Sequence, residues 1–216
     1  CKKHNILVIE DAAQSFGAKC NNQLSGSFGD IGIFSFHSHK NVSTLGEGGM
    51  IVVKDKTVAD LIPLLRHNGH CGFNFDREHY WKPAMGNVDL PILNDTPLPI
   101  NNFCLGEVQC ALGEKLLERI DQINSEKRKR AITFIDQFKA HEELEFHRID
   151  SDRHNYHLLV AQVKNIDRDT LINKMATEFG IQCIVQYYPL NRYDYYAKKG
   201  LGEANCPNAD LFFDTM

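Results

Sequence analysis

The sequence predicts an α/β fold, a sheet whose strands open onto polar loops, and three observations carry that expectation. Residues 6–9 (ILVI) form a short, apolar, β-branched run that stops at the acidic pair Glu10 and Asp11. Two more apolar runs, residues 31–36 (IGIFSF) and 50–53 (MIVV), enclose a polar, glycine-rich stretch from His37 to Gly49. A long charged stretch of helical periodicity, from Gly106 to about Phe138, is followed by a strand, helix, strand order between residues 157 and 187.

In chain order, the first run has the composition of a strand buried on both faces, as in a parallel sheet. Asp11 then stands at the strand's carboxyl end, the edge of an α/β sheet where ligands collect. The stretch from His37 to Gly49 is a loop presented between two buried strands, the usual place for functional groups held by a rigid scaffold. Residues 60–67 read as helical. Residues 69–102 carry many Gly, Pro and Asn and read as a long excursion, which is uncommon inside a compact domain unless it has a task. From Gly106 onward, Val108, Leu112, Leu116, Ile120 and Ile123 recur near helical spacing with charges between them, giving one long helix or two in series. Residues 157–163 read as a strand, 169–179 as a helix capped near Asp167 or Asp169, and 181–187 as a strand after Gly180. That order suggests a second, small α/β unit.

With 216 residues, 43% of them hydrophobic, the chain can bury a substantial core in one or two domains. Its formal charge of −4 is spread without a sustained basic block, so neither nucleic acid nor an anionic membrane is an expected partner. No run of roughly 18 apolar residues would span a bilayer and no leader pattern is read, so the expected location is the cytoplasm. The seven cysteines are odd in number, irregularly spaced and without a C-x-x-C pair. They are read as free thiols of a reducing compartment. The chain begins almost directly in an apolar run and stops just after Leu211, Phe212 and Phe213; a fragment of a longer protein is expected.

Several polar residues fall where one kind of cofactor chemistry needs them. A pyridoxal phosphate (PLP) site requires an amine for a Schiff base, a carboxylate to keep the pyridine nitrogen protonated, and donors for the phosphate, while the cofactor acts as electron sink. Lys40, Asp11 and Ser35 supply those types, and Gln14 can reach the ring if the chain turns into a helix after Asp11. Singly, each residue has an ordinary reading: an Asp after a strand caps a helix, a loop Lys is a solvated charge, and a Ser carries little information. Their joint arrangement with Gly46, Gly48 and Gly49, which permit close backbone approach, favours the cofactor.

The segments VIEDAAQSFGA (Val8 to Ala18) and GIFSFHSHKNVSTLGEGGMIV (Gly32 to Val52) resemble the DegT/StrS family of sugar-nucleotide aminotransferases, which have the PLP-dependent type I transferase fold. The resemblance implies that Lys40 bears the PLP, Asp11 meets the pyridine nitrogen, Gln14 contacts the ring and Ser35 binds the phosphate. A third segment, NFCLGEVQCALG (Asn102 to Gly113), is similar to the family motif that opens its long helix. There Asn102 would reach the phosphate of the neighbouring subunit, which implies a homodimer with a shared active site. Cys104 stands where the family often has Arg, and Gln186 where it usually has His, so contacts in those two places are expected to differ. By the same resemblance, residues 1–125 are part of the large, mixed-sheet PLP domain and residues 126–216 part of the small C-terminal α/β domain.

The activity so implied is transfer of an amino group, from glutamate, to a nucleotide-linked 4-keto-6-deoxy sugar in surface polysaccharide or amino-sugar biosynthesis. Lys40, once released, would move the proton between the donor's alpha carbon and the cofactor. Two alternatives stay open: a sister dehydratase activity, in which the family replaces the lysine by histidine, and a non-catalytic module that keeps the fold. His67, His70 and Cys71 coincide with a variable segment of the family and are not read as a metal site. His37 and His39 flank the lysine either as loop histidines or as neighbours of the cofactor. Tyr187, Tyr188, Tyr193, Tyr195 and Tyr196 are read as packing rather than as a sugar or nucleotide contact.

Overall fold

A computed structural model describes residues 1–67, 101–149, 151, 153–202 and 204–216. The chain divides into two compact units, one formed by Cys1–Lys127 with Asp152–His157 and the other by Arg128–Ser151 with Leu158–Met216.

The first unit is built on a three-stranded sheet of β1 (Ile9–Asp11), β4 (Ile31–Ser35) and β5 (Gly49–Val53), in the order β1-β4-β5. Strand β1 runs parallel to β4, with Asp11 opposite Ile33, and β5 returns antiparallel, with Ser35 opposite Gly49. Between β1 and β4 lies a small hairpin of β2 (Lys19–Cys20) and β3 (Gln23–Leu24). Its turn residues Asn21 and Asn22 both have positive φ (50° and 63°), a conformation that asparagine tolerates and that suits a two-residue hairpin. Three helices follow: α1 (Lys56–Arg66), α2 (Glu107–Leu117) and α3 (Ile120–Phe138). The long periodic stretch is thus two helices in series.

The first strand is displaced from the expected residues 6–9. Val8 is held by a turn instead of a ladder: its N–H donates to Asp30 Oδ2 at 2.8 Å and its carbonyl accepts from the N–H groups of Asp30 and Ile31. The expectation of burial on both faces is also corrected, since Ile9, Met50, Ile51 and Val52 are all exposed, Ile9 to 63%. The buried hydrophobic side chains of this unit lie beyond the strand ends, where Ala12, Phe36, Val42 and Tyr156 are closed off from solvent. Phe16 packs edge-on against Phe34 with ring centroids 4.9 Å apart. Thr44, fully buried, meets α2 at Gly113, where an added Cβ would come within 3.1 Å of its methyl group.

The second unit contains the later part of α3, an antiparallel pair of β6 (Leu144–Phe146) and β7 (Ala161–Val163), and three helices, α4 (Arg168–Phe179), α5 (Asp194–Lys198) and α6 (Pro207–Thr215). Asp167 is the N-cap of α4, its carboxylate accepting from the Thr170 N–H at 3.0 Å, and Gly180 closes the helix in the left-handed conformation (φ 65°). Only residues 161–163 of the expected 157–163 strand are paired, because the His157 N–H is taken by the Asn155 side chain. Residues 181–187 form no strand, correcting that expectation. β-branched composition favours extended chain, but a strand needs a ladder partner, and among the described residues this segment has none. It lines an apolar groove of about 480 Å³ together with Phe134, Phe146, Leu171 and Met175. The tyrosines pack on one another and on Phe213, Tyr188 meeting Tyr193 at 5.0 Å and Phe213 at 5.3 Å. Arg192 lies over the same Phe213 ring and pairs with Asp210 and Asp214 of α6.

Among the described residues no helix is long and apolar enough to cross a membrane, and no three His, Cys, Asp or Glu side chains gather as metal ligands. Cys1, Cys20, Cys104, Cys110, Cys183 and Cys206 are free thiols. Cys71, His70 and nearly all of the 69–102 excursion lie outside the described residues.

Candidate active site at the strand ends

Parallel pairing of β1 with β4 places Asp11 and Ser35 at the same, carboxyl end of neighbouring strands. Asp11 is exposed, and its Oδ1 accepts one bond from the N–H of Ala13 at 3.0 Å. No helix follows. Successive turns do, closed by Ser15 N–H to Ala12 O (3.1 Å) and Ala18 N–H to Ser15 O (2.8 Å). The helix invoked for Gln14 is therefore absent, and Gln14 is set by a turn whose carbonyl accepts from Asn155 Nδ2 at 3.0 Å. Ser35 Oγ accepts from the His37 N–H at 3.3 Å.

Lys40 sits in the loop between β4 and β5, which is pinned along its length. Phe36 N–H donates to Gly48 O (2.7 Å), Ser38 N–H to Gly46 O (2.7 Å) and Thr44 N–H to Phe36 O (3.0 Å). Leu45 and Gly46 turn the chain back with φ of 63° and 122°. The Lys40 N–H itself donates to His37 O at 2.9 Å. His37 and His39 bond within the loop: their rings meet edge-on at 5.0 Å, His37 Nδ1 accepts from the His39 N–H, and His37 Nε2 lies 3.6 Å from Glu47.

The structure gathers Asp11, Gln14, Ser35 and Lys40 into the same unit at the same strand ends. Asn102 stands at the start of the segment leading to α2, bridged to His67, with its Oδ1 accepting from the Cys104 N–H at 3.1 Å. Among the described residues it has no recorded bond to the other four.

Sequence reasoning missed the residues beneath them. Glu10 accepts from the N–H groups of Gly26 (2.6 Å) and Phe28 (2.9 Å), fixing the turn before β4. Asn41, Asn124, Lys127 and Asn155 form a polar cluster directly after Lys40. His157, next to that cluster, has its Nδ1 buried with no partner among the described residues. Burial first, then the charges of Lys40 and Lys127 and the nearness of His39, hold its pKa down at about 4, so the ring is neutral. Burial likewise lowers the pKa of Lys127. Asn41 was within the quoted motif; the others carry no periodicity or spacing that marks them.

The donor set suits PLP. Asp11 spends one oxygen on one main-chain donor and keeps acceptor capacity for a protonated ring nitrogen, and Ser35, accepting through Oγ, keeps its hydroxyl proton to donate.

Residues 1–216, the whole chain, match the DegT/DnrJ/EryC1/StrS aminotransferase family. The UDP-4-amino-4,6-dideoxy-N-acetyl-beta-L-altrosamine transaminase of Campylobacter jejuni is 32% identical over 217 residues, covering 98% of this chain and 52% of that protein. The chain spans about half the length of the curated relatives it matches. Among solved structures, Helicobacter pylori PseC, an aminotransferase involved in the biosynthesis of pseudoaminic acid, superposes with a TM-score of 0.80 at 24% identity, over 100% of this chain and 54% of that one. The Escherichia coli GDP-4-keto-6-deoxy-D-mannose-3-dehydratase, solved with bound hydrated PLP, gives a TM-score of 0.75 at 22% identity, over 99% of this chain and 55% of that one. These two likenesses are of fold, the fold of PLP-dependent type I aminotransferases. With a match that runs from the first residue to the last, the chain belongs to the DegT/DnrJ/EryC1/StrS aminotransferase family.

Proposed function

We propose that this chain carries the PLP site of a sugar-nucleotide aminotransferase, and that Lys40 is its catalytic lysine. The observation that carries the reading is the seating of Lys40 on a pinned loop beside the strand end that presents Asp11. When bound, the cofactor supplies an electron sink for breaking a bond at the donor's alpha carbon. Lys40 then has two tasks, holding the cofactor through its amine and, once released, carrying the proton to and from that carbon. The Asp11 carboxylate pairs with the ring nitrogen and keeps it protonated, Gln14 contacts the ring, and Ser35 donates to the phosphate. Asn102 acts from one protomer on the phosphate held by the other, which makes the working species a homodimer.

The names of a UDP-amino-sugar transaminase and a GDP-perosamine synthase among the relatives support a nucleotide-sugar substrate; glutamate as amino donor and a nucleotide-linked 4-keto-6-deoxy sugar as acceptor, in surface polysaccharide or amino-sugar synthesis, are what the family resemblance implies. The cytoplasm, where nucleotide sugars are made, is the proposed location. Residues 1–125 are proposed as part of the large cofactor domain and 126–216 as part of the small one.

The test is an absorbance spectrum with added PLP, followed by borohydride reduction and peptide mass analysis, on this chain and on one lengthened to the span of its relatives. The expected result is a visible band and a reduced label on Lys40, both lost in Lys40→Ala. No label on Lys40 in either chain would replace this reading with a non-catalytic module.

A further inference from the structure

Lys40 is followed by an asparagine whose side chain is held at every atom that can bond. Asn41 Nδ2 donates to Asn124 Oδ1 at 2.9 Å and to the main-chain oxygen of Asn155 at 3.1 Å, while its Oδ1 accepts from Lys127 Nζ at 2.7 Å. An amide has two donor hydrogens and one acceptor oxygen, so neither a flip nor a swing is open to it without a lost bond. Its holders reach on to the other strand end. Asn124 Nδ2 donates to Phe16 O at 3.0 Å, and Asn155 Nδ2 donates to Gln14 O at 3.0 Å and Phe16 O at 3.2 Å. Asn124 and Asn155 are 3% and 4% exposed, so these bonds are shielded from water and costly to leave unmade.

Backbone geometry is arranged to admit the lattice. Gly17 adopts φ +76°, and a Cβ there would fall 2.4 Å from Asn124 Nδ2. Only a glycine lets Asn124 approach the Phe16 carbonyl.

We propose that the lattice of Asn41, Asn124 and Asn155 is a positioning device, fixing the Lys40 amine relative to the turn that carries Asp11 and Gln14. The proposal rests on the catalytic reading of Lys40. The lysine amine rides on a flexible four-carbon stem, so its aim depends on how firmly its backbone is held. On one side Lys40 has the bond to His37 O, and on the other the gripped Asn41. A misplacement of about 1 Å is enough to cost on the order of a hundredfold in rate, so the lattice belongs to the catalytic geometry although none of its members touches the reacting atoms.

A role confined to holding the fold together would loosen the sheet as well as the loop. The test therefore compares Asn41→Ala and Asn155→Ala with the parent chain in two ways. In the cofactor-free protein, amide hydrogen exchange is followed by mass spectrometry. Exchange over residues 37–44 and 12–16 is expected to rise roughly tenfold or more while β4 and β5 keep their protection. In the PLP-loaded protein, the pH at which the visible band changes is expected to move in both variants. Asn41 lies nearer the surface than Asn155, so its variant keeps the experiment decisive if Asn155→Ala fails to fold. Unchanged loop exchange overturns the proposal, and so does an equal rise in loop and sheet. If neither the parent chain nor the lengthened one takes a label on Lys40, the catalytic reading falls, and the exchange comparison still decides whether the lattice holds the loop.

Discussion

Among the described residues, His157 has a buried Nδ1 without a partner and a pKa held at about 4. Between that value and its ordinary 6.5, the unfolded chain binds a proton that the folded chain does not, so stability is complete above about 6.5 and falls as the pH drops toward 4. Glu10 works in a lower window. Burial pushes its pKa up, but the N–H groups of Gly26, Phe28 and Gly29 and the Ser25 hydroxyl outweigh that and lower it below 4.5. Its contribution is present above 4.5 and is lost as the pH falls through the folded value. Melting temperatures of His157→Gln, measured from pH 7 to pH 5, are expected to decline less than those of the parent chain, whereas Glu10→Gln is expected to leave that upper decline in place. At this scale the sequence suggests a role where residue type and chemistry are tied, as in the roles proposed for Lys40 and Asp11. It is silent on Asn124 and Asn155, because a buried asparagine has the same letter as a solvated one and only its three-dimensional partners distinguish them.

At the scale of elements, what was readable depended on whether a segment's pattern is satisfied locally. Helix α4 was readable to its cap, since Asp167 and Gly180 act within their own turn. Strands β4 and β5 were readable because their apolar runs pair with each other across one loop. Residues 6–9 and 181–187 have strand composition without a strand's hydrogen bonds, and ladder partners are not encoded locally. The hairpin β2–β3 was missed because two-residue strands are too short to show a period. The turn at Gly17 makes a testable case of local need: Gly17→Ala forces a side chain into φ +76° and against Asn124. A loss of about 1–3 kcal/mol is expected in denaturant melts, with the destabilisation accompanied by faster exchange in the Lys40 loop.

For the molecule as a whole, the exposed sheet dominates solution behaviour. Among the described residues β1 and β5 are the outer strands of the sheet, and β5 shows Met50, Ile51 and Val52 at 41%, 49% and 39% exposure. Unpaired edges with apolar side chains invite association. The purified chain is expected to bind a hydrophobic dye and to scatter more light as its concentration rises, and Ile51→Lys is expected to reduce the scattering without lowering the melting temperature. The fold class was legible from two long motifs, the same motifs that carry the residues proposed to hold the cofactor. Asp152–His157 joins the first unit across a stretch of the second. That detour bears on how the protein is made. Asn41 leaves the ribosome 114 residues ahead of the Asn155 carbonyl it must bind. At about 5–20 residues per second, the loop around Lys40 waits on the order of ten seconds for its last anchor. During synthesis the lattice around Asn41 therefore stays open until Asn155 has been translated, and the work proposed for Lys40 on that loop has to wait for it.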